Sequence, residues 1–144
     1  MANVEHNTNL NKLLIRLSRS LLQYVGHCST WAAHSDAALA DEFPSIVDIQ
    51  QDHVAELSEL LAERRWTIDF GGFPAEYTDL HFLSLKYLVK NIIVNQQAII
   101  AELEEASHVC VDDPEATELI SEILKSEREI TDRLASLLKQ GAAT

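Results

Sequence analysis

The stretch that decides how the halves of this chain connect is residues 66–78, WTIDFGGFPAEYT. It holds two adjacent glycines and a proline, and it lies between two long stretches of helical periodicity. Consecutive helices in a bundle are usually joined by about 2 to 8 residues. Thirteen extended residues reach about 43 Å, whereas a twenty-residue helix is about 30 Å long. The segment is therefore long enough to cross the whole length of a bundle.

Four stretches of the chain carry apolar residues at the three- and four-residue spacing of a helix. We predict helices over about 9–33, 44–65, 79–106 and 114–140, all within a single domain, 1–144. Their starts carry capping signals: Pro44 suits a first helical turn, and Thr78 and Asp79 are natural N-caps. The fourth helix opens with Asp113 as the cap and Pro114 at the first position. The fold class predicted is therefore all-α.

Composition and charge exclude several classes of function. The 144 residues are 47% hydrophobic and 6% aromatic, and the net charge is −12. With scattered basic residues there is no stripe to neutralise phosphates, so we predict neither a nucleic-acid nor a membrane partner. No signal peptide or membrane span is visible, and Cys28 and Cys110 lie far apart without a CxxC motif. We expect a cytoplasmic protein with reduced thiols, although one disulfide stays open.

A long connection between the second and third helices gives the topology of a ferritin-like bundle. The alternative is an ordinary up-down bundle with an extended loop. An internal repeat favours the first: residues 46–61, IVDIQQDHVAELSELL, set over residues 123–138, ILKSEREITDRLASLL, match at four apolar positions without a gap. The second and fourth helices therefore look like copies of one another.

The chain resembles the ferritin-like superfamily, nearest to rubrerythrins and bacterioferritins, over most of residues 9–140. The resemblance rests on the architecture and on residues 50–57, QQDHVAEL, which are similar to that family's Glu-x-x-His helix. It implies a di-iron site in which the second and fourth helices each supply Glu-x-x-His and the other two helices each supply one Glu. By position, the second helix offers Gln50 and His53, and the fourth offers Glu127 and Ile130.

The acidic ligands of such a site are largely missing. No Asp or Glu occurs in residues 6–35 or in residues 80–101, so the bodies of the first and third helices cannot supply a carboxylate. One His and one Glu are too few ligands for two irons, and we predict neither an intact di-iron site nor a cofactor. We expect the positions to form a hydrogen-bonded core cluster, with Lys90 or Arg19 balancing the charge: Gln50, His53, Asn91, Asn95 and Glu127. His53, between Ile49 and Leu57 on the core face, is open to three roles: structural residue, ligand or general base.

A different metal site is the alternative. His27 and His34 flank Trp31 near the end of the first helix, and three acids step by four along the second: Asp48, Asp52 and Glu56. This arrangement resembles the mini-ferritins that protect DNA, in which the His of one subunit meets the acids of another, although the two His here are closer together. An acidic helix face is more commonly only solvated.

Three classes of function follow. No nucleophile motif or phosphate loop is present, so an enzyme is not predicted. The surplus apolar residues of the third helix indicate a homo-oligomer, most simply a dimer through that helix. We therefore expect a ferritin-like module that acts by association, with a rearranged metal or oxidative-stress site as the alternative.

The third class of function is a small-molecule carrier, with a cavity lined by Tyr24, His53, Asn91 and Glu127. The segment around Phe70 and Phe73 is expected to pack its aromatic rings on the bundle end rather than to line a pocket.

Overall fold

A computed structural model describes residues 4–28, 32–80 and 83–142 of the chain. Those residues form a four-helix bundle in which the first position is occupied by two short helices in line. The bounds are α1 Val4–Ser18, α2 Leu21–Gly26, α3 Ala37–Glu63, α4 Leu85–Val109 and α5 Pro114–Ala142. In the ring of four, α1 and α2 neighbour α3 and α4, and α5 packs against the other side of both. The predicted all-α bundle with a long crossover is confirmed.

The first predicted helix, 9–33, is interrupted. It begins at Val4, and α1 and α2 are separated at Arg19 and Ser20. Ser20 has extended backbone (φ −69°, ψ 162°), and its hydroxyl accepts a hydrogen bond from the Gln23 amide at 3.2 Å, as an N-cap does. Asn95 Oδ1 on α4 accepts a second one from the Leu21 amide. The break is stable because both groups replace lost helical bonds. Residues 29–31, including Trp31, lie outside the described ranges.

The second predicted helix starts earlier than Pro44. A short 3-10 helix, His34–Asp36, leads into α3 at Ala37, so Pro44 lies inside the helix instead of in its first turn. Proline removes a backbone donor and usually interrupts a helix. Here the turns before it are anchored by Leu39 and Phe43, which are 1% and 6% exposed. Burial of those two side chains outweighs the local preference.

The described part of the crossover before α4, residues 64–80, runs along α1 and α2. Asn11 holds it by a two-way contact with the backbone of Asp69: the Asn11 Nδ2 donates to the Asp69 carbonyl at 2.9 Å, and the Asp69 amide donates to the Asn11 Oδ1 at 3.0 Å. Gly71 follows with φ +65°, and a Cβ placed there would lie 2.7 Å from a methyl carbon of Ile15. The chain therefore needs glycine at this position, for its conformation and for its close approach to α1.

Two aromatic residues of the crossover pack on α2, and a third is exposed. Phe73 packs edge-on against Tyr24, with ring centroids 5.1 Å apart, and Tyr77 packs against the same ring at 5.4 Å. Phe70 is 47% exposed, so the predicted packing holds for Phe73 but not for Phe70. The contact lies beside α2.

The third predicted helix begins later and the fourth begins as predicted. Thr78 and Asp79 belong to a 3-10 helix, Ala75–Leu80, and the N-cap of α4 is Ser84. At α5, the Asp113 carboxylate accepts from the Ala116 amide and Pro114 is the first helical residue. The two ends reach Val109 and Ala142, a few residues beyond the predicted 106 and 140.

The apolar core consists of two clusters. One lies around α2 and the adjacent ends of the other helices and includes Leu22, Leu39, Leu88, Ile92 and Leu134. The other lies around α1 and includes Leu14, Leu57, Ile99, Leu103 and Ile120. On each of α3, α4 and α5 the residues that separate the two clusters in sequence include a buried polar side chain. A polar layer therefore divides the core at mid-height.

A second polar cluster pins the end of the bundle at which α1 begins. Arg64 donates two hydrogen bonds to the Asp113 carboxylate, at 2.7 and 2.8 Å, and one to the Asn7 side chain at 3.0 Å. His6 lies 3.2 Å from the same carboxylate. The Arg64 hydrogen bonds hold the pKa of Asp113 below its ordinary value, against the opposing effect of burial. The cluster ties together α1, the end of α3 and the start of α5.

Candidate functional site

The polar layer at mid-height is the candidate site. Its members come from every position of the bundle and are almost fully buried: Ser20, Gln23, Gln50, His53, Gln96 and Glu127. Gln50, Gln96 and Glu127 are 0% exposed. Burying a carboxylate in this way is costly unless hydrogen bonds compensate it. The hydrogen bonds to Glu127 therefore decide what the site can do.

Glu127 is the acceptor at the centre of the layer. Its Oε1 accepts from the Gln50 Nε2 at 2.8 Å and from the Gln96 Nε2 at 2.9 Å. Its Oε2 contacts the Nδ1 of His53, which closes the other side of the carboxylate. An ionised carboxylate can only accept, so the His53 Nδ1 carries the proton of that hydrogen bond when Glu127 is charged. Three side-chain donors from α3 and α4 thus stabilise one charge on α5.

The orientation of the Gln50 amide is fixed by its neighbours. Its Oε1 accepts from the Ser20 hydroxyl at 2.6 Å and from the Gln23 Nε2 at 3.1 Å, while its Nε2 donates to Gln96 and Glu127. Rotating the amide by 180° would place two NH₂ groups against each other and an oxygen against the carboxylate. The hydrogen-bond donors of the layer therefore point towards Glu127.

The outer part of the layer extends to the surface through Gln23. Its Nε2 also donates to the Val47 carbonyl at 3.0 Å, and its Oε1 accepts from the side chain of Gln51 at 3.1 Å. Within the described residues, no buried side-chain nitrogen or oxygen lacks a hydrogen-bond partner. The layer is a closed network, which is what a buried polar cluster needs to be stable.

Local helix geometry explains how the members meet. Gln50 and His53 are three residues apart on α3 and lie on one face, and the internal repeat aligns Gln50 with Glu127. Ser20 lies at the interruption before α2, where its backbone is extended and not helical. In this conformation its hydroxyl donates to the Gln50 Oε1. The helix break and the polar layer therefore belong to the same arrangement.

The structure brings together three of the five predicted cluster residues: Gln50, His53 and Glu127. Asn95 makes its hydrogen bonds elsewhere, to the Leu21 amide and the Tyr77 hydroxyl. Asn91 is half-buried and takes no part in the hydrogen bonds of the described network. Ile49, predicted to share the core face with His53, is 41% exposed.

Neither of the predicted balancing cations reaches Glu127. Arg19 donates to the carbonyl of Phe70 at 3.1 Å and lies over the ring of Phe73, and Lys90 is exposed. The charge is balanced by neutral amides and His53 instead.

Sequence reasoning missed Gln96, Ser20 and Gln23. The apolar register of α4 contained the signal for Gln96, because Ile92, Gln96, Ile99 and Leu103 follow one another at steps of four, three and four, and all four are 0% exposed. Asn91 and Asn95 lie one residue back, about 100° around the helix. Ser20 and Gln23 could not be placed without the break between α1 and α2.

The alternative metal residues do not form a cluster. His27, His34, Asp48, Asp52 and Glu56 are all exposed. His27 and Asp48 line one cleft of about 430 Å³ between α2 and α3, together with Cys28, whose pKa is raised by burial. Among the residues that the structure describes, no group of three or more His, Cys, Asp or Glu side chains could hold a metal ion.

Two residues of the predicted small-molecule cavity make contacts in different parts of the protein. Tyr24 packs on Phe73 and Tyr77, in the crossover, while Glu127 accepts hydrogen bonds from the Gln50 and Gln96 amides. The carrier hypothesis stays a prediction.

Four helical positions, one long crossover and a buried polar layer at mid-height define a class of helical bundle whose ligand sites, when present, lie in the core between facing helices. The family model of the ferritin-like domain matches residues 7–143, and the chain belongs to that family. No curated protein matches the chain. Across the described residues, no helix is long and apolar enough to cross a membrane.

The residues of the layer do not fit the pair of irons that the family implies. Such a site is built from four carboxylates and two imidazoles, whereas the layer offers one of each, Glu127 and His53. At Gln50 and Gln96 the NH₂ groups, which cannot bind a cation, point at the carboxylate. The repeat partner of His53 on α5 is Ile130. The donor set suits hydrogen bonding to a single charge.

Proposed function

We propose that this chain is a non-catalytic ferritin-like protein without an intact di-iron site, acting in the cytoplasm by association with itself or with a partner protein. The observation that carries this proposal is the closed network around Glu127. Its carboxylate accepts hydrogen bonds from side chains of α3 and α4 and is 0% exposed. A carboxylate held in this way has a structural role.

The network engages both oxygens of the Glu127 carboxylate and the Nδ1 of His53. A general base or nucleophile must reach its substrate within hydrogen-bond distance. Glu127 is fully buried, and the Nδ1 of His53 is occupied by it. The layer therefore supports the stability and the specificity of the bundle, and the function is assigned to the outer surface.

Self-association is supported by α4, although less of its apolar surface is free than the sequence indicates. Ile93 of α4, and Leu80 and Leu83 in the segment before it, pack on the apolar cluster around α2. Tyr87 and Val94 remain 53% and 66% exposed on the outer face. Exposed apolar residues on one face of a helix are typical of an interface. We propose a homodimer through this face.

Metal analysis tests the proposal directly. The untagged protein is purified without chelator, loaded with Fe(II) under anaerobic conditions, desalted and analysed for iron, manganese and zinc, with His53→Ala and Glu127→Gln in parallel. We expect no metal above trace amounts in any of the three proteins. An intact ferritin-like di-iron protein taken through the same steps shows that loading and desalting retain a real site.

Two results would overturn the proposal. Metal close to one or two ions per chain that disappears in both variants would make the layer a metal centre. Metal that both variants retain would place a site elsewhere, and variants of His27 and Asp48 would then locate it. In either case the protein would be a metal-handling one.

A further inference from the structure

The outer face of α4 has an unusual order of residues. Tyr87, Val94 and Ala101 follow one another at seven-residue steps and are all exposed, so they form one stripe along the helix. Between them lie Lys90 and Ala98, which are exposed as well. The large side chains Tyr87, Lys90 and Val94 occupy the first part of the stripe, and alanines 98 and 101 occupy the rest.

Charge along α4 changes sign from one end to the other. Residues 80–101 contain no Asp or Glu, and Lys86 and Lys90 lie in the first two turns. Glu102, Glu104 and Glu105 follow, all exposed. Glu102 receives a hydrogen bond from Arg16 at 2.6 Å, yet its side chain is 50% exposed and accessible to another cation. One half of the face is therefore basic and the other half is acidic.

We infer that a second copy of this chain docks on this face with its α4 antiparallel to the first, and that the two-fold axis passes at Val94. This inference rests on the proposed self-association and specifies its surface and geometry. A two-fold interface pairs the same patch on both subunits, so residues of the stripe that are equally far from Val94 come to the same height. Tyr87 then meets Ala101 of the second copy, and the basic end of each helix lies beside the acidic end of the other.

Both pairings are complementary in this orientation. A tyrosine ring packs over an alanine, and the alanines at 98 and 101 allow the two helices to approach closely. The basic end of each α4 lies beside the acidic end of the other copy, which favours this orientation over a parallel one. A parallel arrangement would place tyrosine against tyrosine and lysine against lysine. The residues of one face therefore select the antiparallel dimer.

Disulfide trapping of the full-length chain tests this geometry. In a Cys28→Ser background, in which the remaining Cys110 is 0% exposed, a single cysteine is introduced by Val94→Cys or, as the matched control, by Ala101→Cys. Both positions are exposed and lie on the same stripe. After mild oxidation with diamide we expect a covalent dimer for Val94→Cys. We expect little for Ala101→Cys, because its two copies lie about 20 Å apart along the antiparallel helices.

A second pair of variants tests the contact without cross-linking. Val94→Glu should weaken dimerisation at least tenfold in light scattering or sedimentation, whereas Val111→Glu should leave it unchanged. Val111 is 72% exposed and lies beyond α4, so the two changes are matched in chemistry and in burial. Both variants should keep the unfolding midpoint of a monomeric bundle, since neither side chain is part of the core.

The possible failures can be told apart. Equal cross-linking at positions 94 and 101 would mean parallel or random encounter and would overturn the inference. A dimer in light scattering that neither cysteine traps and Val94→Glu does not weaken would overturn it while leaving self-association standing. A monomer at concentrations well above micromolar would refute both the inference and self-association.

Discussion

Replacing Gln96 by glutamate tests whether the polar layer is built around one negative charge. In the native network the Gln96 Nε2 donates to the Glu127 Oε1 at 2.9 Å, and the Gln96 Oε1 accepts from the Gln50 Nε2 at 3.0 Å. Gln96→Glu keeps the shape and the second bond, but it turns the first donor into an acceptor beside a carboxylate. Both groups are 0% exposed, so water cannot screen them.

The new carboxyl group can either ionise or keep its proton, and the state that costs less free energy sets the loss of stability. If the new carboxyl group ionised, two charges about 4 Å apart would repel by about 4 kcal/mol at an effective dielectric constant of about 20. If it keeps its proton it donates to Glu127 as the amide does, and holding that proton at pH 7 costs about 3.7 kcal/mol for a group of ordinary pKa about 4.3. The free energy of unfolding should therefore fall by about 3 to 4 kcal/mol at pH 7.

The effect has a definite pH dependence. The new group has a higher pKa in the folded protein than in the unfolded chain, so the folded state binds the extra proton more tightly. The penalty therefore shrinks as the pH falls, by about 1.4 kcal/mol per unit, to about 1 kcal/mol at pH 5. Below the unfolded pKa it disappears, because both states are then protonated.

Urea unfolding followed by far-UV circular dichroism at pH 7, 6 and 5, with chelator present, measures this difference against the unchanged protein. Gln97→Glu is the matched control: it makes the same change at the next residue, which is exposed, and should alter stability by less than about 0.5 kcal/mol. Equal effects of the two substitutions, or a loss for Gln96→Glu that is the same at pH 7 and pH 5, would refute the assignment of a buried charge to Glu127.

Two other predictions concern the parts that hold the bundle together. Gly71→Ala should lower the free energy of unfolding by at least about 1 kcal/mol, because it strains a positive φ and meets Ile15, whereas Gly72→Ala, with no atom within 4 Å of the added carbon, should be nearly neutral in the same urea experiment. Equal effects would contradict the close approach of the crossover to α1. Asp113→Asn should cost about 2 kcal/mol above about pH 4 by weakening the Arg64 contact. Because the pKa of Asp113 is lowered in the folded state, this contribution is complete above the unfolded pKa and is lost as the pH falls through the folded one, so the gap between variant and native protein should close in acid; a gap that stays constant down to pH 2 would contradict the ion pair.

Much of the fold could be predicted because it depends on local sequence patterns or on the number of residues between helices. Helical periodicity and the Asp113-Pro114 start predicted α5, and the length of the segment between two helices predicted the crossover. The spacing of Gln50 and His53, with the repeat that aligns Gln50 and Glu127, predicted the half of the site that lies on α3 and α5. Side chains three or four residues apart share a face in any helix, so these inferences needed no tertiary contact.

The other half of the site depended on rotation and on breaks that local preference does not set. Pro44 lies inside α3 because the burial of Leu39 and Phe43 extends that helix. The first helix is interrupted at Ser20, where the Ser20 hydroxyl and the Asn95 side chain of α4 accept the backbone hydrogen bonds that the helix loses. Gln96 faces the layer because the core of α4 is rotated by one residue from the predicted face.

The sequence by itself determined that this chain is a helical bundle with a long crossover and that residues 6–35 and 80–101 contain no Asp or Glu, since both depend on which residues occur and how far apart they are. The tertiary structure decided that the remaining polar residues close around Glu127, because hydrogen bonding among Ser20, Gln50 and Gln96 requires three different elements to meet at one height. It also decided how much of the apolar surface of α4 is left outside, because the crossover covers part of it. Those are properties of contacts between distant residues, and a sequence pattern read one helix at a time does not contain them.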